Sequence, residues 1–357
     1  MVADDSNVHD RNCLRRTHSS SRFPDRFDGA GRSTPGGGTL TVPDDIETVA
    51  VIGNGNVGHG MAQVFATAGT PVVMIGRNED SLAEAIDRID RSLEQFVGRG
   101  VVSEGEHAEA LDRIRTTTDM GEAAGAELVL EAVPADREIQ NEVYAQLDDI
   151  CEPPTVIGSG SGQPVSDLVG PFSNPQQVVA THFWYPPQLI PLVEVCAGPE
   201  TDDDVVPWVC DVLSDVGKEP VVIDQEIPGF IGNRLQFAML REAWSLWTSG
   251  VASAEAIDAV TRLSLGRRLA VTGPIESADV AGLETMYSFA KYLQPDLDAD
   301  PNPPEAVGDL VESGHDGPSS GQGIYDWTDR DADALLEARE AELFRHLLRD
   351  EDVTGSD

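Results

Sequence analysis

Lysine is almost missing from this chain. Only Lys218 and Lys291 occur in 357 residues, and with the arginines they make 24 basic groups against 63 acidic ones, a net charge of −39. A field of that sign repels phosphate backbones and anionic lipid, which argues against nucleic-acid and membrane-surface functions. Cysteine is scarce too. Cys13, Cys151, Cys196 and Cys210 form no CxxC and no metal-ligand spacing. A disulfide scaffold and a metal site are therefore not expected, and the thiols read as reduced, buried and cytoplasmic. Long apolar runs are also absent. None approaches the ~18 residues of a membrane-spanning helix, and the N-terminus lacks a secretory apolar core. Disorder often accompanies such acidity, but 40% hydrophobic residues and 34 glycines in patterned positions argue for a packed chain. The simplest physical reading of the charge is a protein soluble in very high salt. There, screening cuts self-repulsion and a carboxylate surface stays hydrated.

The length suits two domains. Residues 1–45 stand apart. Their seven acidic and six basic side chains nearly cancel, so residues 46–357 carry −38 of the charge. They are rich in Ser, Arg and Gly, with Ser19-Ser20-Ser21 and Gly36-Gly37-Gly38, and show no hydrophobic period. A disordered extension is expected, and a mis-assigned translation start would leave the same composition.

The body opens on Thr48-Val49-Ala50-Val51-Ile52, an apolar run that fits a buried parallel strand. Gly53-Asn54-Gly55-Asn56-Val57-Gly58 follows at once. Met61, Val64, Phe65 and Ala68 then fall on one helical face, and Pro71-Val72-Val73-Met74-Ile75 reads as a second strand. Strand, GxGxxG, helix, strand is the dinucleotide-binding βαβ unit in its required context. A helix over 81–97, a strand over 128–133, a helix over 138–147 and strands at 156–157, 178–180, 192–196 and 221–223 continue the alternation. From 230 to about 292 the period is helical only, with Ser253 as an N-cap and a Pro-rich acidic loop over 294–306. The expected architecture is a Rossmann-type α/β dinucleotide-binding domain over 46–225, then an all-α domain over 226–329. An acidic C-terminal helix and tail covers 330–357.

Each loop glycine has a reason. Gly53 permits the tight turn, Gly55 lets backbone approach a pyrophosphate, and Gly58 lets helix pack on sheet. Asn56 and Val57 lie between them, where helix N-terminal amides meet phosphate. The end of the second strand, where an NAD site usually carries an acid for the ribose, holds Gly76 and then Arg77. Loss of the acid removes repulsion of a 2′-phosphate and Arg77 could pair with one, so NADP stands beside NAD. A solvated or adenine-stacked Arg77 leaves NAD.

His182 ends the strand Val178-Val179-Ala180-Thr181-His182-Phe183, and Glu194 follows in Leu192-Val193-Glu194-Val195-Cys196. On a strand Glu194 shares a face with Leu192 and Cys196, and a carboxylate on an apolar face needs a partner. A bend at Tyr185-Pro186-Pro187 would make His182 that partner. A hydride-transfer enzyme needs a base for the hydroxyl proton, and a His oriented by a buried Glu suits that task. A buried structural pair is the alternative.

These residues, with Leu130-Glu131-Ala132-Val133, Gly158-Ser159-Gly160-Ser161-Gly162, Pro228-Gly229-Phe230-Ile231-Gly232-Asn233-Arg234, Asp279-Val280-Ala281-Gly282-Leu283 and Gly321-Gln322-Gly323-Ile324-Tyr325, resemble the 3-hydroxyacyl-CoA dehydrogenase family over about 47–327. The resemblance implies an NAD- or NADP-dependent oxidoreductase with His182 as general base and Glu194 as its orienting acid. By the same resemblance, Ser159 touches substrate oxygen and nicotinamide, Asn233 holds the substrate oxygen, and Glu131 lies on the cofactor side. Ser92 and Arg99 fall where the family contacts CoA. A homodimer through the helical domain is implied, with an acyl-CoA as small-molecule partner. There are departures. Phe183-Trp184-Tyr185 replaces a common Phe-Phe-Asn, and an asparagine is missing from the Gly158–Gly162 run. The stretches Pro186-Pro187 to Val195 and Arg267-Arg268-Leu269-Ala270-Val271-Thr272-Gly273-Pro274 look more like branches acting on free hydroxy acids of carnitine, gulonate or pyridine-carboxylate type. There Arg267 and Arg268 could grip a substrate carboxylate, or simply sit at a helix C-terminus. The leading expectation is 3-hydroxyacyl-CoA oxidation. A free-acid dehydrogenase and a non-catalytic dinucleotide-binding protein are the alternatives.

Overall fold

A computed structural model describes residues 42–354 apart from 44, with side chains to 350. Nearly all of the expected N-terminal extension, Cys13 included, lies outside the described residues. The described chain opens on β1 (Val49–Ile52), α1 (Gly58–Thr67), β2 (Val72–Ile75), α2 (Glu79–Gly98), α3 (Glu104–Asp112) and β3 (Ile114–Thr117). It continues with β4 (Leu128–Glu131), α4 (Arg137–Ile150), β5 (Val156–Ser159), β6 (Val178–Phe183), β7 (Leu192–Ala197), α5 (Val205–Asp215) and β8 (Glu219–Ile223). Eight strands make one sheet in the order β3-β2-β1-β4-β5-β6-β7-β8. Pairing is parallel throughout, except between β6 and β7.

All four residues of β1, β2, β4 and β5 are buried, as strands covered by helices on both faces must be. Alternate residues feed opposite cores. Val49 and Val51 join Phe65, Leu82, Ile89 and Leu93 on one face, while Ala50 and Ile52 join Tyr144, Leu147 and Phe230 on the other. Each fully buried Leu or Phe contributes about 1.5–3 kcal/mol. In α2 the core face is Leu82, Ala85, Ile89, Leu93 and Phe96, and the Asn78 side chain caps the first turn by accepting from the Ser81 amide. β3, α3 and α5 have no counterpart in the sequence reading. β3 reads Ile-Arg-Thr-Thr and is only half-buried at the sheet edge, so it carries no apolar run to detect.

The strand order reverses between β1 and β4, which opens a crevice at their C-terminal ends. Beyond the sheet come α6 (Phe230–Thr248), α7 (Ala254–Leu263), α8 (Leu265–Arg268), α9 (Pro274–Ala281), α10 (Leu283–Leu293) and α11 (Glu305–Glu312). Phe230 is the one buried residue of α6, and α7 to α11 have none. The last element, α12 (Ala332–Thr354), returns to the sheet domain and seats Phe344 against Phe96 and Leu189. No described helix is long and apolar enough to cross a membrane.

Candidate active site

The glycine loop fills the crevice. Gly53 has φ +103°, and a Cβ there would lie 2.7 Å from the Ala132 carbonyl at the end of β4. A Cβ on Gly58 would run into the Gly53 carbonyl, so α1 starts hard against the turn. Gly55 has open space around it, which suits an approaching ligand. The N-terminus of α1, at Val57, carries no side-chain cap and no acid in its first turn. Its amides are thus available to an anion. Two neighbours brace the loop: Arg88 donates to the Asn54 carbonyl at 2.6 Å, and the His59 Nδ1 lies 2.8 Å from the Gly55 carbonyl. Burial lowers the pKa of His59, and the Gly55 bond only partly offsets this. Arg77 is exposed at the end of β2, with no partner among the described residues. These features fit a dinucleotide: an uncapped helix start, an open Gly55, and two glycines that no side chain could replace.

His182 and Glu194 are paired across β6 and β7, directly in register. The His182 Nδ1 donates to Glu194 Oε2 at 2.8 Å. A carboxylate only accepts, so Nδ1 carries the hydrogen and Nε2 keeps its lone pair. Trp184 Nε1 donates to the same oxygen at 3.1 Å. The other oxygen, Oε1, accepts from the Ile231 and Gly232 amides at 2.9 and 3.0 Å. Glu194 thereby caps α6, whose N-cap Gly229 has no side chain to do so. Burial alone would raise the Glu194 pKa. The Gly232 amide, His182, Trp184 and the Ile231 amide outweigh it and hold the carboxyl below its ordinary value.

The loop after β5 meets this pair. The Gly229 amide donates to the Gly162 carbonyl at 2.8 Å. A Cβ on Gly162 would lie 3.2 Å from Asn233 Nδ2 and 3.7 Å from His182 Nε2. Its absence leaves a small space between a base and an amide donor.

Ser159 is fully buried, its Oγ 2.8 Å from the Tyr144 hydroxyl oxygen. Ser159 donates to Glu131 at 3.1 Å. Glu131 is 1% exposed and accepts from Tyr144 at 2.5 Å and from the Val133 amide at 2.7 Å. Its carboxylate belongs to this buried network. Burial raises the Glu131 pKa against the pull of those hydrogen bonds, and burial beside Glu131 pushes Tyr144 well up. What the network holds is the loop: the Ser161 amide donates to Ser159 Oγ at 3.2 Å. The half-buried serine beside Gly162 is Ser161, which the sequence reading passed over. No period operates in that loop to say which serine turns inward.

Ser92 lines a cavity with Phe344 and Glu340 of α12. The Arg99 guanidinium stacks 4.2 Å over the Phe344 ring. Both lie against the chain's own C-terminal helix. Arg267 and Arg268 are exposed on α8, and neither side chain has a hydrogen-bond or ion-pair partner among the described residues. Among the described residues no group of three His, Cys, Asp or Glu is placed to hold a metal.

Two family models match the chain. The model described as 3-hydroxyacyl-CoA dehydrogenase, NAD binding domain, covers residues 48–227, and that described as its C-terminal domain covers 229–327. The chain belongs to the 3-hydroxyacyl-CoA dehydrogenase family. Within this family it is 32% identical over 306 residues to the 5-formyl-3-hydroxy-2-methylpyridine 4-carboxylate 5-dehydrogenase of Mesorhizobium japonicum, covering 84% of this chain and 96% of that one. It is 32% identical over 277 residues to a probable 3-hydroxybutyryl-CoA dehydrogenase of Deinococcus radiodurans, covering 77% and 98%. Among solved structures, a 5-formyl-3-hydroxy-2-methylpyridine 4-carboxylic acid 5-dehydrogenase, described as an NAD+-dependent dismutase, is similar at a TM-score of 0.78 and 31% identity, covering 85% and 98%. An (S)-3-hydroxybutyryl-CoA dehydrogenase from Ralstonia eutropha is similar at 0.66 and 28%, covering 79% and 99%. This member of the 3-hydroxyacyl-CoA dehydrogenase family is an oxidoreductase of hydroxyl groups with an NAD(P)-binding domain.

Proposed function

We propose that the chain oxidises a secondary alcohol, or reduces the matching ketone, with His182 as the proton carrier. The observation that carries this is the His182–Glu194 pair, with Nδ1 tied at 2.8 Å and Nε2 left free beside the space at Gly162. In the oxidative direction Nε2 takes the hydroxyl proton, and the Glu194 carboxylate stabilises the charged ring. Asn233 Nδ2 donates to the substrate oxygen across the gap that Gly162 leaves, and Ser161 lies on the same loop. When bound at Gly53, Gly55, Asn56, Val57 and Gly58, the nicotinamide cofactor accepts the hydride in oxidation and returns it in reduction. Gly76 leaves no acid to repel a 2′-phosphate and Arg77 is free to pair with one, which supports use of NADP alongside NAD.

The relatives divide on substrate. The Deinococcus relative is named for 3-hydroxybutyryl-CoA and the Mesorhizobium relative for a free pyridine carboxylate. The first class is what the sequence favours. The second is favoured by the structural likeness, a TM-score of 0.78 to the pyridine-carboxylate enzyme against 0.66 to the Ralstonia enzyme. We further propose a cytoplasmic homodimer joined through α6 to α11. A steady-state panel in multimolar KCl, crossing NADH and NADPH with acetoacetyl-CoA and a set of free oxo acids, tests the function. Turnover of at least one pair is expected. Cofactor binding with no turnover of any pair would instead support a non-catalytic protein.

A further inference from the structure

α12 carries its buried aromatic, Phe344, to the sheet domain. It crosses α2 and the segment that follows His182. Phe344 is 2% exposed, its ring edge-on to Phe96 at a centroid distance of 4.9 Å, and Leu189 closes the seam. Arg99 stacks on the other side of the Phe344 ring. Under this seam lies a cavity of about 240 Å³. Its floor includes Asn56 and His59 from the glycine loop and first helix, one wall is Ser92 on α2, and another is Tyr185, three residues past His182. Glu340 and Phe344 of α12 close it.

We propose that α12 sets specificity by roofing this cavity, so that the substrate is a compact anionic hydroxy or oxo acid and not a CoA thioester. This rests on the dehydrogenase reading above. Size is the first ground. Pockets for drug-sized ligands span about 300–1,000 Å³, and a CoA thioester with its nucleotide, phosphates and pantetheine arm is larger than such a ligand. Charge is the second. The roof brings Glu340 over the cavity, with Glu337 one turn before it on α12, and a polyphosphate would meet like charge. The third ground is the donors left over. Arg91 lines the cavity and has no partner among the described residues, and Arg88 keeps a buried Nε with none. In a chain of net charge −39 these are the local cations, and they suit one carboxylate. Arg99, which would otherwise extend the basic strip along α2, is already taken by Phe344.

Binding of coenzyme A itself, measured by calorimetry in the full chain, tests the roof without relying on chemistry. Wild type is expected to show no saturable heat, while Phe344→Asp, which unseats α12, gains binding by at least about tenfold. Should Phe344→Asp fail to fold, Glu340→Arg, at a half-exposed position, inverts the roof charge and is expected to gain binding likewise. Wild type that binds coenzyme A as tightly as the variants overturns the proposal, and so does a failure of the folded variants to gain. Turnover of free oxo acids by the same wild-type sample is read separately. Its absence with every substrate overturns the dehydrogenase reading, while the calorimetry still decides the roof.

Discussion

Glu194 accepts from His182, Trp184 and the amides of Ile231 and Gly232, so one carboxylate fixes the tautomer of the base and the start of α6 together. Removing it would disturb both, which makes it a poor probe of chemistry alone. Gly162 is a cleaner one. Gly162→Ala places a methyl 3.2 Å from Asn233 Nδ2 and 3.7 Å from His182 Nε2 without a left-handed φ to strain the backbone. The expected result is a ~10²-fold fall in kcat/KM with thermal stability nearly unchanged, measured by steady-state kinetics and melting. The pair itself was legible in the sequence. A strand alternates faces, so an acid on the Leu192 and Cys196 face announced a buried partner, and the Pro-rich bend supplied a hairpin with His182 opposite. The serine was not legible. Ser159 ends β5 and Ser161 follows in the loop, and only the buried Tyr144 and Glu131 show which of the two joins the buried network.

Among the elements, the segment 185–191 is held by an unusual anchor. Lys218, one of the two lysines, donates to the Pro187 carbonyl at 2.5 Å and to the Ile190 carbonyl at 3.2 Å. It is 8% exposed, and burial lowers its pKa from 10.5 to about 8. Between those values the unfolded chain keeps a proton that the folded chain has released, so stability rises with pH there. Below about pH 8 both states are protonated and the full cost of burying the charge applies. Relative to Lys218→Met, wild type is expected to gain up to about 3 kcal/mol of unfolding free energy from pH 7.5 to 10.5, read by denaturant melts. A parallel pH course in both proteins would contradict it. The same scale shows what periodicity reveals. α1, α2, β1 and β2 follow from apolar spacing because both faces of the sheet are covered. The docking of α12 rests on Phe344 finding Phe96 and Leu189, three residues far apart in sequence, and no local pattern encodes that.

For the whole molecule, α7 to α11 contain no buried residue, yet Ile275, Val280 and Tyr292 are 82%, 84% and 77% exposed. So large an apolar surface needs a cover, and a second copy is the cover proposed. Sedimentation is expected to give a dimer, and Phe289→Asp on α10 to shift it toward monomer with a lower Tm. Net charge sets the medium. With −38 of the charge on residues 46–357, self-repulsion destabilises the folded state at low ionic strength, so the Tm is expected to climb as KCl rises into the molar range. A Tm that is flat or falls with KCl would contradict this.

The central claim is that His182 moves the proton. The direct measurement is the kcat of His182→Gln beside its Kd for NADH, read by protein fluorescence in the same high-salt buffer. The account predicts a kcat lower by ~10²–10⁴-fold with an unchanged Kd. Wild-type kcat in that variant would contradict it.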